Sequence, residues 1–213
     1  MTERLPTVLV IDDHAIVRFG LETLIGNCPQ LALAGSAATL DEGLALIALL
    51  QPDLVITDMG VGESKGLDTV RAVISTQKPR STLILTVHDE LLYGEQALAL
   101  GAAGYVMKEN AHDSILSAAH AVLAGGRWIS EKLQARVHER EQQRATGEET
   151  TQARLTPREL QILEFLRSGR TTKQIAAALD CSVRTIDVHR ATIKKKLGLR
   201  TAAELIAFAS NKL

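Results

Sequence analysis

Five residues able to do chemistry stand at the ends of four short apolar runs. Val8-Leu9-Val10-Ile11 leads into Asp12-Asp13, and Leu54-Val55-Ile56 leads through Thr57 to Asp58. Leu83-Ile84-Leu85 ends in Thr86, and Tyr105-Val106-Met107 ends in Lys108. Each run has the length and side chains of a buried strand. Met59-Gly60-Val61-Gly62 marks a loop directly after Asp58. Open parallel sheets bind ligands beyond the carboxyl ends of their strands, where the strand order reverses. With these runs as neighbours, three carboxylates, a hydroxyl and an ammonium converge on one crevice. Taken singly, each aspartate reads equally well as a helix cap, Lys108 as a solvated charge and Tyr105 as core. Joint placement at four strand ends is what favours chemistry.

The segments between the runs supply the helices such a sheet needs. Ile16, Val17, Leu21, Leu24 and Ile25 repeat at helical spacing and stop at Gly26-Asn27. Leu31 to Ala37 is a weaker strand. Thr39 with Glu42 is a capping box that opens a helix through Leu50, before Pro52. Helices follow from Leu67 to Gln77, from Glu90 to Leu100 and from His112 to Ala124. Five strands alternating with helices predict a flavodoxin-like α/β domain, a doubly wound parallel sheet over residues 1–126. Residues 127–153 turn polar and read as a linker, helical in its first half.

Residues 154–213 contain no strand pattern. Thr156-Pro157-Arg158-Glu159 is a capping box with proline at the first helical position. Thr171 with Gln174 caps a short helix, Ser182 caps a longer one that stops at Gly198, and a fourth begins near Ala202. Two short helices joined tightly, the second one basic, form a helix-turn-helix pattern in an all-α four-helix domain.

Charge divides the chain in the same way. The net charge of −1 is the sum of −8 over residues 1–125, 0 over 126–149 and +7 over 150–213. Only the last part is suited to a polyanion. Cys28 and Cys181 form no metal or disulfide pattern. No leader precedes the first strand, and the longest apolar run, Leu44 to Leu50, is far short of a membrane span. A cytoplasmic protein with no membrane partner is expected.

Asp12-Asp13, Asp58, Thr86, Tyr105 and Lys108, in that order and spacing, resemble the receiver domain of a two-component response regulator. The resemblance implies that Asp58 accepts a phosphoryl group from a phosphohistidine on a sensor histidine kinase. It implies Mg²⁺ held by Asp13, Asp58 and the Gly60 carbonyl, with Asp12 acting through water. Three crowded carboxylates repel, and a hard cation with oxygen ligands relieves this. Lys108 would pair with the acyl phosphate, Thr86 would hydrogen-bond to it, and Tyr105 would change rotamer with Thr86. His14 and His88 read as surface histidines. Two positions depart from the family pattern. Val61-Gly62 stands where Met-Pro is usual, which makes the loop less preorganised. Val87 replaces a smaller residue and narrows access to Asp58, so slower phosphotransfer and slower phosphate loss are expected.

Leu155 to Leu163, Thr171 to Ala176, Ser182 to Arg190, Ile193 and Lys196-Leu197-Gly198 resemble the LuxR/NarL/FixJ-type DNA-binding domain. Ile186, Ile193 and Leu197 share one helix face, leaving Arg184, Val188, Ala191 and Lys195 on the other, which would enter the major groove. Family contact positions map to Asp187, Val188 and Ala191. Asp187 suits a cytosine N4, and the two small apolar side chains suit thymine methyls. Thr172, Lys173, Arg184, Thr185, Arg190 and Lys194 to Lys196 are further candidate contacts. His189 reads as a core histidine, and Leu205, Ile206 and Phe208 exceed what one helix face needs, which suits a dimer.

The sequence is thus expected to be a DNA-binding transcriptional response regulator switched by Mg²⁺-dependent phosphorylation, not an enzyme. Its partners would be a sensor kinase, double-stranded DNA, RNA polymerase and, when active, a second copy. The alternative is a phosphorylation-independent regulator whose receiver serves for protein contacts. A magnesium phosphohydrolase would need a second acid two residues after Asp58, where Gly60 stands.

Overall fold

The computed structural model describes residues 4–62, 66–146 and 155–212. It divides into two compact units, Met1–Val137 and His138–Leu213. In the first, β1 (Thr7–Ile11), β2 (Ala32–Ala37), β3 (Leu54–Thr57), β4 (Ser81–Thr86) and β5 (Gly104–Met107) form a parallel sheet in the order β2-β1-β3-β4-β5. The helices between them are α1 (Ala15–Gly26), α2 (Leu40–Leu50), α3 (Leu67–Gln77) and α4 (Glu90–Leu100), with α5 (Ala111–Leu123) after β5. The flavodoxin-like expectation holds.

The strands are buried because both faces of the sheet are covered, as parallel sheets require. Val8, Val10, Leu54, Ile56, Leu83, Leu85 and Val106 point to one side, against Leu21 and Ile25 of α1 and Ile115, Ala118 and Val122 of α5. Leu9, Ile11 and Val55 point to the other, against Ile47 of α2 and Val73 of α3. This is the two-residue alternation of a strand. Thr39 caps α2 by accepting the Glu42 N–H, but Glu42 reaches the Ala38 N–H rather than that of Thr39.

The first unit does not stop at residue 126. Trp128 donates its N–H to the Ala103 carbonyl and accepts the N–H of Tyr105 at 2.8 Å, extending the sheet edge beside β5. Ser130 then caps α6 (Glu131–Thr146) by accepting the Leu133 N–H. Leu133 is fully buried and Arg136 pairs with Glu95 of α4. The buried Leu133 and the Arg136–Glu95 pair help dock a helix whose composition reads as linker. The remaining linker residues, 147–153, lie outside the described residues.

In the second unit, α7 (Pro157–Arg167), α8 (Thr172–Ala178), α9 (Val183–Leu197) and α10 (Ala202–Lys212) follow one another. Both expected capping boxes are present, Thr156 with Glu159 and Thr171 with Gln174, and Ser182 accepts the Thr185 N–H. Leu160 and Leu163 of α7, Ile175 of α8, Ile186 and Ile193 of α9 and Leu205 of α10 are buried. No helix among the described residues is long and apolar enough to cross a membrane.

Candidate functional site

The register of β1, β3, β4 and β5 brings the strand ends level. Ile11 pairs with Thr57, Thr57 with Ile84, and Thr86 with Met107. The residue after each of β1, β3 and β5 is then Asp12, Asp58 or Lys108, and the Asp58 N–H donates to the Ile11 carbonyl. The cluster sits between β1 and β3, where the strand order reverses.

Asp12 is 1% exposed and Asp58 4%. The Lys108 ammonium stands 2.6 Å from one carboxylate oxygen of Asp58 and 2.7 Å from one of Asp12. The other Asp58 oxygen accepts the Met59 N–H at 2.6 Å. Burial pushes the Lys108 ammonium toward neutrality, but its contacts with the two carboxylates outweigh that and raise its pKa. Asp13 is more exposed and accepts the Gly62 N–H at 3.2 Å.

Asp12, Asp13, His14 and Asp58 can each turn one ligand atom to within 4.8 Å of all the others. One ammonium does not balance three carboxylates, and an oxygen-rich set of this size suits a hard cation such as Mg²⁺. Gly60 follows Met59 in the same loop and is half-buried.

Thr86 is fully buried at the end of β4, and its hydroxyl accepts the His88 N–H at 3.4 Å. The Tyr105 hydroxyl donates to the His88 carbonyl at 2.9 Å and also meets the Met59 sulfur. Thr86 and Tyr105 therefore hold the same residue from two sides. Residues 8–120 match the response regulator receiver domain family, and residues 153–209 match the bacterial regulatory proteins of the luxR family.

The chain belongs to the LuxR-type two-component response regulators. The transcriptional regulatory protein MctR of Rhizobium johnstonii is 33% identical over 98% of this chain and 95% of its own length. The transcriptional regulatory protein UhpA of Salmonella typhimurium is 34% identical over 93% and 95%. RcsB of Salmonella enterica serovar Typhimurium, solved bound to promoter rprA with the phosphomimetic BeF3⁻, shares the fold at TM-score 0.74. It is 23% identical, over 98% of this chain and all of that one.

In this regulator the DNA-binding domain presents a defined face of α9. Arg184, Thr185, Asp187, Val188, Ala191 and Lys195 are exposed, Val188 at 59%, while Ile186 and Ile193 are buried behind them. Lys173 is exposed, Lys194 and His189 are half-buried, and the half-buried Arg190 donates to the Thr172 hydroxyl at 2.6 Å. Thr185 shares a hydrogen bond with the Ser182 hydroxyl. Lys196 differs from the expectation. Its ammonium turns inward to Glu159, 2.7 Å away. Leu205 is buried and Ile206 is 47% exposed.

One of the two histidines differs from its surface reading. His88 is buried, with its ring 5.2 Å from that of Tyr93. His14 is exposed, yet its Nδ1 lies 2.8 Å from Asp13 and 3.2 Å from Asp12. The signal for His14 was its position at the start of α1, which turns it back onto the preceding acids. His88 carried no such signal, because the residues that meet it, Tyr93 and Tyr105, come from later elements. The loop after Asp58 is also better held than its lack of proline suggests. Val61 is buried in the α2–α3 side of the core, and Gly62 reaches Asp13 through an N–H that proline lacks.

Proposed function

We propose that this regulator is switched by phosphorylation of Asp58, by a partner sensor histidine kinase and with Mg²⁺. The observation that carries the reading is a buried carboxylate held between an ammonium and a backbone N–H, within a cluster of acids at the sheet's reversal point. Asp13, Asp58 and the Gly60 carbonyl would hold the cation directly, and Asp12 through water. When bound, the cation supplies positive charge for the phosphoryl oxygens.

The Asp58 carboxylate attacks phosphorus as the phosphohistidine P–N bond breaks, leaving an acyl phosphate on Asp58 and the donor imidazole free. Met59 N–H orients the nucleophile. Lys108 follows the charge from carboxylate to phosphoryl group. Thr86 donates its hydroxyl to a phosphoryl oxygen, giving up its place at His88, and Tyr105 adjusts with it. The modification adds roughly two negative charges and new acceptor oxygens, so the element these residues share is the one biased.

The output is DNA binding by the exposed face of α9 in the major groove, as in other helix-turn-helix proteins. Lys173, Arg184, Lys194 and Lys195 contact phosphates, with Thr172, Thr185 and Arg190 setting the register. Asp187, Val188 and Ala191 face the bases. Ile206 on α10 suits pairing of two copies on symmetric half-sites, and RNA polymerase is the downstream partner.

The test is intact mass after acetyl phosphate and Mg²⁺ for wild type and Asp58→Asn. One phosphoryl adduct on wild type alone, accompanied by tighter binding to a DNA site, is expected. No adduct on folded wild type overturns the reading and leaves a regulator that works without phosphorylation.

A further inference from the structure

The residues named as a switch, Thr86 and Tyr105, are tied to α6, a helix that sequence composition assigns to a linker. Tyr105 is held at both ends. Its hydroxyl donates to the His88 carbonyl, and its backbone N–H donates to the Trp128 carbonyl at 2.8 Å. Trp128 is two residues before Ser130, the cap of α6. The chain entering α6 is therefore fastened to the backbone of the switch tyrosine.

From the other side, α6 is fastened to α4. The Ser130 hydroxyl donates to Glu90 at 2.6 Å, and Arg136 donates to Glu95 at 2.8 Å. The Glu95 side chain is only 9% exposed. Between them Leu133 sits over Gly94. A Cβ placed on Gly94 would lie 2.5, 3.1 and 3.4 Å from three carbons of the Leu133 side chain. The glycine makes a socket, and no side chain larger than hydrogen leaves room for Leu133 in its present place. Tyr93, the neighbour of Gly94, is the residue whose ring meets His88. Leu133, Arg136 and Val137 recur at helical spacing and are the covered face of this part of α6.

We infer that the first two turns of α6 are a latch on the receiver's switch, released when Thr86 and Tyr105 rearrange, and that this release is how the receiver acts on the chain leading to the DNA-binding domain. Among the described residues of α6 one apolar side chain, Leu133, is fully buried, and the attachments through Ser130 and Arg136 are polar. Such a helix belongs to the low-stability end of the fold, from which moving elements are drawn. Its fastenings are concentrated on His88-linked Tyr93–Gly94 and on Tyr105, so a shift at either loosens it. Past Val137 the same helix continues to Thr146.

This inference rests on Asp58 being the phosphoacceptor, and its two halves are tested separately. Hydrogen exchange on the full chain is followed for peptides covering 128–137 and 88–97, with 54–57 of β3 as the internal control. The first arm is Gly94→Ala without modification. Alanine favours helix over glycine, so α4 itself keeps its protection, while exchange in 131–137 is expected to rise about tenfold as Leu133 loses its socket. Unchanged exchange in 131–137 overturns the latch. The second arm is wild type with beryllofluoride and Mg²⁺, bound adduct being checked by fluorine resonance. The expected result is the same rise in 131–137, absent in Asp58→Asn. Adduct with no rise overturns the switch coupling while leaving Asp58 as acceptor. No adduct overturns the acceptor reading and with it the phosphate-driven release, whatever the first arm shows.

Discussion

Lys196 and Glu159 form a 2.7 Å ion pair between the last turn of α9 and the first turn of α7. The same Glu159 carboxylate accepts the Thr156 N–H at 2.6 Å, so one buried acid closes a helix cap and anchors the recognition helix. Burial pushes its carboxyl up, but Lys196 and Thr156 together outweigh that and hold it below its ordinary value. Its contribution is therefore complete above the unfolded-state pKa, near 4.5, and is lost as pH falls through the lower folded value. Lys196→Ala leaves a buried carboxylate without its counter-charge and is expected to destabilise the second domain by about 3 kcal/mol. Glu159→Gln should flatten the acid limb of a pH–stability curve read by exchange at α7 and α9. An unchanged acid limb in that variant would remove Glu159 from the account.

With Asp12, Asp13 and Asp58 as the proposed cation site, Mg²⁺ is expected to stabilise the receiver. Cation bound to the folded state alone adds about 2.7 kcal/mol at a hundredfold excess over Kd. Asp13→Asn should abolish most of that gain, because Asp13 is the more accessible acid and the one without Lys108 beside it. Thermal unfolding of both proteins with Mg²⁺ and with chelator checks this. Equal shifts in the two would place the cation elsewhere.

Gly62 stands where the resemblance to receiver domains leads proline to be expected, yet placing proline there should weaken the site. Gly62 has φ +62°, outside the range a proline ring allows, and its N–H is the donor to Asp13. Gly62→Pro removes the hydrogen bond that orients Asp13, a proposed metal ligand, and such a loss typically costs about tenfold or more in metal affinity. Calorimetric titration with Mg²⁺ measures it. Tighter binding would show that the usual proline loop is accessible to this chain.

The strand ends were legible because an apolar run closed by an acid or a lysine reports both an element and its exit. The caps at Thr156, Thr171 and Ser182 were legible because a local hydrogen bond needs only local spacing. What escaped was decided by tertiary contact. His88 is polar and beside a loop, and its burial among Thr86, Tyr105 and Tyr93 is set by residues of other elements. Leu133 is a lone apolar residue in a charged segment, and its weight comes from a glycine 39 positions earlier. Lys195 and Lys196 are neighbours in one basic run, and nothing local tells which of them Glu159 will take.

Val87 follows Thr86 and is 48% exposed. Val87→Ala shortens the side chain that follows Thr86 and is expected to widen access to Asp58. Uptake from acetyl phosphate and loss of the phosphoryl group should both rise, by roughly threefold, a barrier change under about 1 kcal/mol. Phosphoryl content followed by mass over time gives both rates. A change in one alone would mean that Val87 acts on the chemistry of one step rather than on access.

The inward turn of Lys196 separates it from Lys195 in their use of DNA. Each phosphate contact adds close to one unit to the slope of log affinity against log salt. Lys195→Ala and Lys173→Ala should each lower that slope by about 1, and similarly on any sequence. Lys196→Met, which removes the charge while keeping the stem, should leave the slope unchanged, because the ammonium it loses is committed to Glu159. Asp187→Asn differs from all three. It removes a repulsion from the backbone, so non-specific affinity rises, while discrimination at one base pair falls by about 1–3 kcal/mol. Titrations on specific and unrelated duplexes at several salt concentrations resolve the four variants. A lowered slope for Lys196→Met would return that lysine to the phosphate contacts and leave Glu159 paired in the free protein alone.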